Sequence, residues 1–240
     1  MRPFNKIFVI ALPRCATVSV AQALGILGLR IAHLGRIYGD SSSLENQPER
    51  HFELSRLVRM RQQIESGDYH LDVLRECQGL ADYPACCPKV ISQLDREFPG
   101  SLFINVRRNA SIDRWLQSVE IQFVGTEILA AQSSTASAQQ QLMPVIRCFR
   151  NWTFGSESFS AEQYRHAYHY FQAWVTDYFG NRGHLLDFAD VSQLANVGFS
   201  RLCEFLWLDS VPEIDFPANN LHSQMPRQAF FEALSSGTVQ

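Results

Sequence analysis

Residues 7–19 read "IFVIALPRCATVS": an apolar run ends in a turn that carries one guanidinium and two hydroxyls, Arg14, Thr17 and Ser19. A fixed cation followed by hydroxyl donors at the start of a helix suits a phosphate or sulfate, because helix-start N–H groups and the helix dipole add to the attraction. Taken alone, the stretch also fits a plain strand-to-helix connection with Ser19 as the cap and Arg14 on the surface. A second cation pair, Arg107-Arg108, closes the apolar run 102–106. Two residues able to accept a proton, His33 and Asp82, each follow a short apolar segment. Two anion sites and a proton acceptor are the chemistry these residue types allow. His166 and His169 lie in an aromatic stretch without a carboxylate pattern, so they read as core or surface residues and no metal is expected.

These groups need elements to position them. Residues 7–11 form a short, β-branched apolar run of the kind found in strands buried on both faces. Val20, Ala21, Leu24 and Leu27 recur at helical spacing, and Gly28 follows as a stop. Further strands are expected at 30–33, 79–82, 102–106 and 184–188. Helices are expected at 51–65, 69–77, from Pro84/Pro88 to about 98, 111–124, 139–152, 161–179 and 199–206. Residues 39–50 read as a loop, 126–140 as a low-complexity segment able to close over a site, and 225–240 as a tail. Alternation of strands and helices predicts an α/β fold, a single domain over 1–240 with a mainly parallel sheet flanked by helices. In such a sheet the strand-to-helix turns meet at the carboxyl edge, where ligands collect.

Composition sets limits on the function. The 240 residues are 46% apolar and 19% charged, an ordinary globular balance. A net charge of -3 gives no general attraction to nucleic acid or to an anionic membrane, so any anion site must be local. Arg2 and Lys6 precede an apolar stretch, but Pro13-Arg14 interrupts it before it reaches leader or membrane-span length. The six cysteines show no C-x-x-C pair and no zinc spacing, and Cys86-Cys87 are adjacent. Free thiols and a cytoplasmic location are expected.

The turn lacks the glycines and the Gly-Lys pair of a nucleoside-triphosphatase loop. It does resemble the 5′-phosphosulfate loop of sulfotransferases, Pro-Arg-Thr-Gly-Thr-Thr-Ser in bacterial members, matching at Pro13, Arg14, Thr17 and Ser19 and departing at Cys15, Ala16 and Val18. The resemblance continues in order along the chain. "FPGSLFINVRRN" is similar to the family segment whose arginine binds a 3′-phosphate, and "ADYP" stands where cytosolic members have His-Leu-Pro. "FSRLCEFLWLDSVPEIDFPANN" is similar to the family's C-terminal segment.

The resemblance implies a sulfotransferase fold of the P-loop-like kind. It also implies transfer of a sulfuryl group from 3′-phosphoadenosine 5′-phosphosulfate to a hydroxyl or amine of a small molecule or carbohydrate, leaving adenosine 3′,5′-bisphosphate without a metal. Arg14 would then face the developing charge, and residues 13–19 would hold the 5′ end. Arg107 fits the bacterial pattern for the 3′-phosphate and Arg108 the cytosolic one, with Asn109-Ala110 favouring Arg108. Trp115 and Leu116 occupy the place of the family's partner serine, which leaves Ser118 as the nearest substitute. Asp82 matches the position of a catalytic histidine and His33 that of a catalytic glutamate in other branches. Asp82 is the favoured base. Two other readings stay open: a catalytically impaired nucleotide-binding module, to which the departures in the loop and the missing serine point, and a kinase-like phosphotransferase, whose Gly-Lys pair is absent.

Overall fold

A computed structural model describes residues 1–39, 52–132, 138–180 and 182–218. Six strands form one sheet in the order β3-β2-β4-β1-β5-β6. In chain order they are β1 (Ile7–Val9), β2 (Ile31–His33), β3 (Arg36–Tyr38), β4 (Gly79–Ala81), β5 (Leu102–Val106) and β6 (Leu185–Phe188). β1, β2, β4, β5 and β6 run parallel, and β3 pairs antiparallel with β2 at the edge. The central strands β1, β4 and β5 are buried throughout, as continuous apolar runs require. β1 and β4 pack so closely that a Cβ on Gly79 would lie 1.7 Å from the Ile7 carbonyl oxygen, so only glycine fits there.

The helices are α1 (Thr17–Ile26), α2 (Leu54–Glu65), α3 (Val73–Glu76), α4 (Pro88–Glu97), α5 (Ile112–Gln132), α6 (Ala138–Phe154), α7 (Ala161–Phe179) and α8 (Gln193–Leu206). α1 leads directly from the turn after β1, and α5 follows β5 through a short 3₁₀ turn. Phe8, Phe103 and Phe179 are fully or almost fully buried against one another. Each such ring removes enough apolar surface from water to stabilise the fold by about 1.5–3 kcal/mol.

Several sequence expectations need correction. The segment 126–140 is not a loop for most of its length: 126–132 continue α5 and 138–140 open α6, with 133–137 outside the described residues. Its alanines and glutamines look low in complexity, yet both are good helix formers. The helix expected over 69–77 shrinks to the single turn of α3, because side chains capture the preceding backbone. Asp68 accepts from the His70 N–H at 2.9 Å and Gln63 from the Asp72 N–H at 3.0 Å. β3 was not foreseen. It forms because Leu34 and Gly35 both take positive φ (47° and 78°), giving a two-residue hairpin turn from a pair that lacks the usual Asn-Gly signal. The expected loop over 40–50 and the tail over 225–240 lie outside the described residues.

Candidate active site

The turn after β1 is held from three sides. The Trp115 indole N–H donates to the Pro13 carbonyl at 2.9 Å, and the Cys15 N–H donates to the Leu12 carbonyl at 3.0 Å. The Cys15 side chain is fully buried, and burial pushes its thiol up to about 12. On either side of this anchor, Arg14 (φ 69°) and Ala16 (φ 59°) sit in the left-handed region. Non-glycine residues hold that conformation at a cost of order 1–3 kcal/mol, and such strain gathers at functional sites. Ala16 thus keeps the backbone form natural to glycine while carrying a methyl group. It is also the N-cap of α1, which has no side-chain cap and no acidic residue in its first turn. No acidic residue of α1 itself therefore offsets the positive helix end; the nearby carboxylate is that of Asp82, at the Thr17 hydroxyl.

Arg14 donates from Nε to the Ser118 hydroxyl at 2.9 Å. Its ionisation is opposed first by burial and then by the like charge of Arg108. Arg108 donates its backbone N–H to the Tyr168 hydroxyl at 2.7 Å, and its own Nε is buried without a hydrogen-bond partner. Among the described residues neither Arg14 nor Arg108 has a carboxylate within ion-pair distance. Arg107 points the other way, as alternation at a strand end demands. It forms an ion pair with Asp187 and donates to the Thr176 hydroxyl at 3.1 Å.

The two proton acceptors meet on one hydroxyl. Thr17 Oγ1 donates to Asp82 Oδ2 at 2.7 Å, and His33 Nε2 lies 3.1 Å from Thr17 Oγ1 and 3.5 Å from Asp82 Oδ2. A threonine hydroxyl has one proton, here given to the carboxylate, so His33 Nε2 must be the donor in its contact with Thr17. The other carboxylate oxygen, Asp82 Oδ1, accepts the Tyr83 N–H at 2.8 Å, with Asp82 itself at φ 66°. Asp82 is not the cap of α4, a position held by Cys87 ahead of Pro88.

These groups open on a cavity of about 430 Å³. Pro13, Arg14, Ala16, Thr17, Val18, Ser19, His33, Asp82 and Arg108 line it from the carboxyl edge of the sheet. Cys15, Arg107 and Ser118, also singled out in the sequence, are not on its wall. α5 and α6 contribute Phe123, Leu142, Ile146 and Arg150, which the sequence reading passed over. A signal for Arg150 was present: it continues the Leu142, Ile146 spacing of an apolar helix face, where a charge is out of place. It is 1% exposed and pairs with Glu127 at 2.7 Å.

At the carboxyl edge of the parallel sheet an uncapped helix start, two arginines with no carboxylate of the described residues within ion-pair distance, and the buried Thr17, Asp82 and His33 cluster meet at one cavity. The chain belongs to the sulfotransferase family: the model of the sulfotransferase domain matches residues 6–225. Among solved structures it is similar to a sulfotransferase from Alicyclobacillus acidocaldarius, at 14% identity over 98% of this chain and 94% of that one, with a TM-score of 0.45. It is also similar to the sulfotransferase domain from the curacin biosynthetic pathway, at 12% identity over 99% of this chain and 98% of that one, with a TM-score of 0.41. No curated protein matches the chain. Among the described residues no helix is long and apolar enough to cross a membrane.

Proposed function

We propose that the protein is a sulfotransferase that uses 3′-phosphoadenosine 5′-phosphosulfate and an acceptor hydroxyl or amine. The observation that carries this reading is the pair Arg14 and Arg108, which face one cavity beside the α1 N-terminus with no carboxylate of the described residues within ion-pair distance, Asp82 and Asp190 acting on them only from further away. Two like charges held in partial burial repel each other, and a ligand with two anionic groups relieves that repulsion. The residues present fit such a donor: the buried Arg108 Nε is a donor without a partner.

Residues 13–19 would hold the phosphosulfate end and Arg108 the 3′-phosphate. Bound there, the donor supplies a sulfuryl group whose bond to the bridging phosphate oxygen breaks as one to the acceptor oxygen or nitrogen forms. Arg14, oriented by Ser118, stabilises the charge left on the phosphate side. Arginine stays protonated and so acts as a fixed charge, not as an acid. Asp82 takes the acceptor proton, with Thr17 and His33 fixing the orientation of its carboxylate. All six cysteines are free and five are buried, which suits a reducing compartment and supports a cytoplasmic location.

The test is a thermal-shift titration with adenosine 3′,5′-bisphosphate and with AMP in chelator-treated buffer, followed by a transfer assay. Stabilisation by the bisphosphate well above that by AMP, together with labelled sulfate appearing on an acceptor, is the expected result. Binding without transfer to any acceptor would favour the impaired nucleotide-binding module, which the methyl of Ala16 in place of a glycine makes a specific alternative. Equal shifts from the two nucleotides would overturn the assignment of Arg108.

A further inference from the structure

A donor with anionic groups at both ends requires a set spacing between the two cations that hold it. Arg14 follows β1 and Arg108 follows β5, so that spacing depends on how two separate turns are held while their like charges push them apart. A carboxylate placed between the arginines would hold both, but it would also cancel the charge meant for the ligand. Neutral aromatic side chains span the gap here. The Trp115 indole N–H of α5 holds the Pro13 carbonyl at 2.9 Å, one residue before Arg14. The Tyr168 hydroxyl of α7 accepts the Arg108 N–H at 2.7 Å and donates to Asn109 Oδ1 at 3.4 Å. The two rings meet, with centroids 4.8 Å apart and planes at 51°.

We infer that Trp115 and Tyr168 are positioning residues: together they form a brace that sets the distance between the two anion subsites, and with it the preference for a 3′,5′-bisphosphate. This rests on the sulfotransferase reading above. Trp115 is fully buried and Tyr168 almost so, and a close-packed interior transmits a displacement that a loose one would absorb. Phe154 backs the Trp115 ring, centroid to centroid at 6.3 Å. Burial pushes the Tyr168 phenol up, so its hydroxyl keeps the proton it gives to Asn109. Asp190 accepts the Ala110 N–H at 3.0 Å and fixes the far side of the same turn. Trp115 and Tyr168 are not on the cavity wall, so each acts on the ligand through the turn it holds.

The experiment is calorimetric titration of the full chain with adenosine 3′,5′-bisphosphate and with AMP, on the parent, Tyr168→Phe, Trp115→Phe and the double variant. Each single variant should lose about fivefold in bisphosphate affinity, the value of one hydrogen bond, and stay within about twofold for AMP, which needs only the first turn. A merely structural role would weaken both nucleotides alike, and that result would sink the inference. Once the brace is cut at one link, the second cut has little left to release. The double variant should therefore bind the bisphosphate within about twofold of the weaker single variant. Losses that multiply in the double variant, or a preference unchanged in both single variants, would overturn the brace. Amide hydrogen exchange without nucleotide gives a second reading, on Trp115→Leu, or on Trp115→Phe where the leucine variant is unfolded. Exchange at the Arg108 N–H should speed up by at least about fivefold, although the Trp115 indole bonds to Pro13 and the Arg108 N–H to Tyr168. Unchanged exchange there would contradict the coupling. If the parent shows no preference for the bisphosphate, the donor reading falls, and hydrogen exchange still decides whether the two turns are coupled.

Discussion

Thr17 and Asp82 are joined by a 2.7 Å hydrogen bond that ties the turn after β1 to the end of β4. The two residues are far apart in sequence, yet β1 and β4 are neighbours in the sheet, with Val9 opposite Ala81. His33 reaches the same oxygens because β2 pairs with β4 on its other side, with His33 opposite Ala81. Parallel pairing in this register brings three strand ends to one level, and the cluster is a direct result.

Asp82→Asn keeps the shape of the side chain but cannot accept the acceptor proton. Transfer should fall by about 10² to 10⁴ fold, the usual contribution of a general base, while bisphosphate binding persists. His33→Gln keeps a donor toward Thr17 and should lose less. Stopped assays of both variants beside bisphosphate thermal shifts decide this: a fully active Asp82→Asn protein with a dead His33→Gln protein would move the role to His33.

The two arginines after β5 should separate cleanly. Arg108→Ala should erase most of the preference for adenosine 3′,5′-bisphosphate over AMP without unfolding the protein. Arg107→Ala removes the ion pair with Asp187 and the bond to Thr176, and leaves the preference in place at reduced stability. Loss of selectivity in the Arg107 variant alone would reverse the two roles. Nucleotide titrations and urea midpoints on both proteins supply the comparison.

Arg14→Ala should raise the barrier to transfer by about 2–4 kcal/mol, as removal of one preorganised donor to developing charge does. Ser118→Ala leaves the charge but frees the guanidinium, so it should cost about 0.5–1.5 kcal/mol, the net value of one hydrogen bond. Turnover in the two variants, measured at saturating donor, would show this order. Equal losses, or none, would argue that Ser118 does not orient Arg14.

Alkaline pH should destabilise the fold through buried thiols and phenols. Burial raises Cys15 from 9.0 to about 12 and Tyr164 from 10.0 to about 12. A group with a raised folded pKa contributes its full stability below the unfolded value and loses it as pH rises toward the folded one. Urea midpoints should therefore be level up to about pH 9 and fall between there and about pH 12. Cys15→Ala should lower the midpoint at neutral pH and flatten the slope. A midpoint that rises between pH 9 and 11 would contradict this account. Cys15 should also resist alkylation in the native protein at pH 8, since the thiol and not the thiolate is present.

Much of the fold can be read in the chain because its signals are local. The run 102–106 becomes β5 and the aromatic stretch 161–179 becomes α7 with the expected bounds, since a buried strand and a long helix each carry their own period. The cationic turn, Arg107-Arg108, Asp82 and His33 could be named for the same reason: residue type and position at the end of an apolar run are properties of the sequence. What needed the tertiary structure were relations across the sheet and between helices. Which arginine faces the cavity depends on the side of the strand each takes, and Asp187, far along the chain, engages Arg107. The placing of Ser118 against Arg14 depends on how α5 crosses the turn after β1, where Trp115 also bonds to Pro13. Arg150 found its partners only once α5 and α6 packed together and set Glu127 and Phe123 beside it. Charge, period and turn chemistry are encoded by neighbours in sequence, whereas the partners of a buried polar group are chosen by packing.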